Sequence, residues 1–84
     1  MISTICAVKD RATDAFGRPI FVPTAAAGIR TFQDEINRAD PNNAFHSHPD
    51  DYDLFDLGTF DDNTGHFDLH DLPQLLMLGK NAIR

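Results

Sequence analysis

YDLFDLGTFDDNTGHFDL, Tyr52 to Leu69, reads as a strand, a tight turn and a second strand. The turn is Asp61-Asp62-Asn63-Thr64-Gly65. Aspartate and asparagine bond their own backbone there and, with glycine, accept the dihedral angles of a hairpin. After it, Phe67 and Leu69 alternate with His66, Asp68 and His70, which sets one apolar face against one polar face. Before it the alternation slips: Phe55 and Leu57 fall on one side, whereas Tyr52, Leu54 and Phe60 fall on the other. That pattern calls for a bulge, or for a strand that starts late, near Phe55.

Upstream, Ile2 to Val8 is a β-branched and small apolar run without proline, a first strand. Lys9 to Asp14 is a polar exit, and Phe16-Gly17-Arg18-Pro19 is a turn. The short run Ile20-Phe21-Val22 either pairs as an edge strand or lays Phe21 into the core. Thr24 is placed to cap a helix running to about Arg38 or Ala39, with Ile29, Phe32 and Ile36, joined by Ala25 or Ala26, forming one apolar stripe. Gly28 within it costs about 1 kcal/mol of helix propensity relative to alanine, a sign of either close packing or a tolerated weakness. Asp40-Pro41-Asn42-Asn43 ends the helix, and Ala44 to Asp50 is an ordered loop. Leu72 to Leu78, interrupted by Pro73, forms a short strand or a helical turn. The expected fold is α+β in the order β-α-β-β, an antiparallel-rich sheet of about three strands with one helix on a face. A face left uncovered by that one helix, or a free sheet edge, offers a place for another subunit or a host protein.

With 84 residues and 42% apolar composition, the chain supports one core and not two. The expectation is a single compact domain over residues 1–84, with the last few residues, from Gly79, free to fray. Its one cysteine, Cys6, lies in the first strand and closes no intrachain disulfide, which favours a buried thiol and a reducing compartment. No apolar run reaches the roughly 20 residues of a membrane span. The net charge is −6, and its distribution matters more than its size. Between Arg38 and Lys80 there is no basic residue, while that interval holds nine aspartates and all four histidines. Such a half repels a phosphate backbone. Candidate nucleic-acid contacts are therefore confined to Lys9, Arg11, Arg18, Arg30 and Arg38.

Two histidine groups invite a metal reading. His46 and His48, with Asp50 or Asp51, lie in a loop without a tightly spaced ligand set, and a solvated role is the plainer reading. His66, Asp68 and His70 alternate along a strand, where neighbours on one face stand about 6.6 Å apart, too far for chelation without distortion. Together with Asp61 and Asp62 they are better read as a polar surface for a protein partner. No metal and no cofactor is expected. Neither a nucleophile triad nor a phosphate-cradling glycine loop is present, and Asp61 and Asp62 sit in an exposed turn that lacks the low-dielectric surroundings of an acid–base pair, so no enzyme is expected. Tyr52, Phe55, Phe60 and Phe67 can stack on unpaired bases if exposed. Packing against Ile29, Phe32 and Ile36 is the simpler expectation.

The strings HPDDYDLFDLGTFDDNTGHFDL (His48 to Leu69), FGRPIFVPTAAAGIRTFQDEI (Phe16 to Ile36) and AFHSHPDDY (Ala44 to Tyr52) together resemble the small nonstructural proteins of gokushoviruses, single-stranded DNA bacteriophages of the microvirus family. The resemblance covers most of the chain. It implies a protein that works in the host cytoplasm during infection, of a kind often labelled DNA-binding and linked to the switch towards single-stranded genome synthesis. It supplies no catalytic residue. The residues and the resemblance together favour a noncatalytic accessory protein acting in replication through a viral or host replication protein. Alternatives are a direct single-stranded DNA-binding module using the early bases, and an inhibitor of a host protein acting through Asp61, Asp62, Asp68 and Asp71. A homo-oligomer is open to it through the sheet.

Overall fold

The computed structural model describes residues 1–84. In chain order it contains β1 (Ile2–Asp10), β2 (Ala15–Phe16), β3 (Ile20–Val22), α1 (Ala25–Ile36), α2 (Ala44–Ser47), a 3-10 turn at Pro49–Asp51, β4 (Tyr52–Asp61), β5 (His66–Leu78) and a 3-10 turn at Gly79–Asn81. All pairings are antiparallel. β1 lies inside the sheet, with β4 on one side and β2 and β3, one after the other, on the opposite side; β5 closes the far edge beyond β4. The expected sheet of about three strands is therefore corrected to a curled, mostly-β half-barrel of five. Two features hid the extra pairing. Ala15–Phe16 is only a two-residue bridge to Lys9 and Asp10, too short for any periodic signal. Leu72 to Leu78 continues β5 in spite of Pro73, because the proline falls in a bulge on an edge strand, where its missing N–H costs no ladder bond. There His70 to Pro73 stand opposite the single residue Leu57.

α1 begins where Thr24 leaves the extended region (φ −146, ψ 162) and its Oγ1 accepts from the Ala27 N–H at 3.1 Å. It ends at Ile36, about two residues earlier than the periodicity suggests, because Asn37 takes up the last turn: its Nδ2 donates to the Gln33 carbonyl at 2.7 Å and to the Ala82 carbonyl at 2.9 Å. Gly28, Phe32 and Ile36 face the sheet. Gly28 is a close-approach residue. A Cβ there would lie 2.9 Å from Cys6 Sγ and 3.3 Å from Val22 Cγ2, so the helix rests directly on β1 and β3. Cys6, Val22, Phe32, Ile36, Leu54 and Ala82 make the core. The last residues are tied into it: Ala82 is fully buried, and Arg84 meets Asn37 and Asp34.

The register assigns each strand residue to a face. Cys6 points at α1, so Ile5 and Ala7 point away, and so do their partners: Phe21 and Gly58 beside Ile5, Phe55 beside Ala7. Phe60 beside Ser3, Phe67 beside Phe60 and Phe16 beside Lys9 complete that side. Five of the seven phenylalanines thus lie on the face that carries no helix. This corrects the expectation that Phe55, Phe60 and Phe67 pack against α1; of the four aromatics named, only Tyr52 is on the helix side, its ring tilted against that of Phe45 with centroids 4.4 Å apart. The cause is the bulge anticipated from the slipped alternation. Asp56 pairs with Cys6 and Gly58 with Ile5, so one extra residue, Leu57, inverts the phase of β4. Phe55 and Phe60, five residues apart, are brought to the same face.

Gly58 makes the break possible. Its φ is +140, and a methyl group there would overlap the Asp68 carbonyl oxygen and sit 2.7 Å from Leu69 Cα. Gly58→Ala is expected to destabilise the fold by at least about 2 kcal/mol, read from urea unfolding; an unchanged midpoint would contradict this register.

Candidate functional site

Neither α1 nor α2 crosses the phenylalanine side of the sheet, and its side chains are left to cover one another. Phe60 and Phe67 lie 4.8 Å apart, Phe21 stands edge-on to Phe60 at 5.5 Å and to Phe67 at 6.4 Å, and Phe16 meets Phe55 edge-on at 5.4 Å. These are favourable aromatic geometries, yet they bury the surface only in part. Phe21 (53%), Phe67 (57%), Leu69 (58%) and Leu75 (51%) stay more than half exposed. Exposed large apolar groups gathered on one face mark a contact surface. The sequence points to Phe21, Phe67 and Leu69 among these, but as strand or core positions rather than as an uncovered face. The available signal was numerical: a single 12-residue helix cannot cover both faces of a sheet that holds five of the seven phenylalanines.

The candidate phosphate contacts do not assemble. Lys9 pairs with Asp14 at 3.1 Å, and Arg38 pairs with Glu35 at 2.6 Å and Asp40 at 3.0 Å. Arg11 Nε reaches Asp53 Oδ2 at 3.1 Å, and the guanidinium also donates to the Asp50 carbonyl. Asp53 is buried and its other oxygen accepts from Gly79 N at 3.3 Å, which makes Arg11 a structural tie between the end of β1, the start of β4 and the C-terminal turn. Arg18 and Arg30 are exposed without a carboxylate partner.

The hairpin residues divide. Asp61 pairs with His66 and Asp68 with Thr59, so Asp61, His66 and Asp68 share the helix side of the sheet, beyond the helix itself. Asp62 is engaged elsewhere, its Oδ1 2.7 Å from the N-terminal amine, whose pKa this bond raises. His70 leaves the alternation at the β5 bulge. Its buried Nε2 is 3.2 Å from Asp56 Oδ1, close enough for an ion pair but outside hydrogen-bond alignment, while that oxygen accepts from Gly58 N at 2.9 Å. Asp71 is exposed in the same bulge.

His46 sits on α2, which Asn43 caps through its side chain, and its Nδ1 lies 3.0 Å from the Ile36 carbonyl. His48, Asp50 and Asp51 line a shallow polar depression with Ser47 and Pro49. No three histidine, cysteine or acidic side chains converge as a ligand set. Cys6 is fully buried; burial first, then Asp56, pushes its thiol pKa up, away from thiolate chemistry. Under α1 there is an apolar cleft of about 340 Å³ walled by Val8, Ile20, Phe32, Phe45 and Leu54, with Arg18 and Glu35 among its other neighbours. No helix is long and apolar enough to cross a membrane.

A profile of the Phage ORF5 protein family matches residues 3–82. The chain belongs to that family. "Protein ORF5" of Chlamydia phage 1 is 34% identical over 62 residues, 71% of this chain and 65% of the relative's own length. The resemblance to small gokushovirus proteins is thereby borne out. No solved structure matches.

The Arg38 cluster predicts a pH effect. Its hydrogen bond to Arg38 lowers the Glu35 pKa below the usual 4.5, and the Asn42 N–H, then Arg38, lowers that of Asp40 below 3.8. A lowered carboxyl pKa stabilises the fold above the unfolded value, and the gain is lost as pH falls through the folded one. Arg38→Met is expected to melt slightly below the parent at neutral pH, with the gap closing as pH falls through the lowered pKa values of the two carboxyls, the effect being small because the groups are exposed; a gap that persists once both are protonated would contradict the assignment.

Proposed function

We propose that this ORF5-family protein is a noncatalytic accessory protein of infection that acts in the host cytoplasm. It serves viral genome replication, or the switch to single-stranded DNA synthesis, by contacting a viral or host replication protein. One observation carries this reading: three of the five candidate DNA-contacting bases are neutralised by the chain's own carboxylates, while a whole sheet face of phenylalanine and leucine is left uncovered. A surface of that kind gains free energy by excluding water against another apolar surface. It has little to offer a phosphate backbone, whose binding rests on displaced counterions.

Direct single-stranded DNA binding is the second reading, favoured by the accessibility of the rings and by Lys9 Nζ lying 5.7 Å from the Phe16 ring centre. Labelled circular single-stranded DNA titrated over a salt series separates the two. The expected result is no salt-sensitive binding by the protein alone, even at about 50 mM salt. Binding that weakens steeply with salt, and falls further in Arg18→Ala or Arg30→Ala, would replace the protein-contact reading with the DNA-binding one.

A further inference from the structure

We propose that the phenylalanine face is the interface of a two-fold dimer and that its occupant is a second copy of this chain. The inference deepens the protein-contact reading by naming what covers this face, and shares with it the premise that the face is a contact surface.

Area is the first argument. A buried phenylalanine contributes about 200 Å², and at their exposures Phe16, Phe21, Phe67, Leu69 and Leu75 leave about 500 Å² of apolar surface in one patch. Two copies face to face remove about 1,000 Å², the size at which a specific interface begins. The packing is that of two sheets in a sandwich, and a self-complementary patch is what a two-fold axis requires.

Charge is the second. The chain carries −6, so two copies repel unless they meet where charge is balanced. On this face the charged groups are Lys9, itself paired with Asp14, and the Arg11–Asp53 pair at one end, and the N-terminal amine paired with Asp62 at the other. The hairpin acids Asp61 and Asp68 lie on the opposite side and stay in water in such a dimer.

The edges supply the third. β5 is a long free edge, but the four-residue bulge with Pro73 breaks it, and Gly17-Arg18-Pro19 interrupts the other edge between β2 and β3. Bulges and prolines block edge-to-edge pairing. The faces are the route left open.

Multi-angle light scattering on the full chain from about 1 to 100 µM, a span that brackets ordinary dimer affinities, tests this directly. The expected result is a mass near twice 9.4 kDa at the upper end. Phe67→Lys, at an exposed position, should retain its circular dichroism spectrum and dimerise at least ten-fold more weakly, as should Phe21→Lys. His66→Lys, at an exposed position on the helix side of the sheet, should dimerise like the parent. A parent that stays monomeric throughout, or a Phe67→Lys protein that still dimerises like the parent, would overturn the proposal. A monomer that also ignores DNA would leave the protein-contact reading standing, with the face assigned to a protein of different sequence.

Discussion

One residue too many in β4 determines what this protein presents to its surroundings. In a regular strand Phe55 and Phe60 point in opposite directions. Leu57 adds a step without a partner, Gly58 lets the backbone pass against β5, and both rings emerge on the side that carries no helix. Helix side and aromatic side then acquire different chemistry. Below α1 lies a conventional core of Cys6, Val22, Phe32, Ile36, Leu54 and Ala82. Across the sheet, rings pack on rings and remain half in water. Much of the apolar content of a small chain is thereby withheld from the core, an arrangement that serves contact better than stability.

The charges follow a related economy. An acidic chain with few bases uses most of them locally: Arg11 holds the buried Asp53, Arg38 closes the end of α1 against Glu35 and Asp40, and Arg84 returns to Asp34 on the helix. The N-terminal amine does the same at the hairpin tip with Asp62. Cations so committed are poor phosphate ligands, because a phosphate must displace a carboxylate that is already in place.

Local chemistry was legible in the sequence and long-range placement was not. The Asp-Asn-Gly turn, the Thr24 cap, the helix stripe and the need for a bulge all follow from neighbours within a few residues, and each is found where that chemistry puts it. The two-residue β2, the passage of β5 beyond Pro73 and the Arg11–Asp53 tie depend on partners distant in sequence. The aromatic face is lost at one step: alternation with leucine sends Phe55, Phe60 and Phe67 to the helix, although a bulge between Phe55 and Phe60 brings those two rings to one face. His70 shows the same limit, since its place beside Asp56 depends on a second register shift that the alternation before it does not announce.

The central claim is that the break at Leu57 sends the rings away from α1, and nuclear Overhauser contacts among aromatic protons test it most directly. The account predicts cross-peaks linking Phe21, Phe60 and Phe67, and Phe16 with Phe55, with none joining Phe55 or Phe60 to Phe32 or Ile36. Cross-peaks from Phe60 to Phe32 or Ile36 would contradict it, placing the ring in the core and removing the contact face.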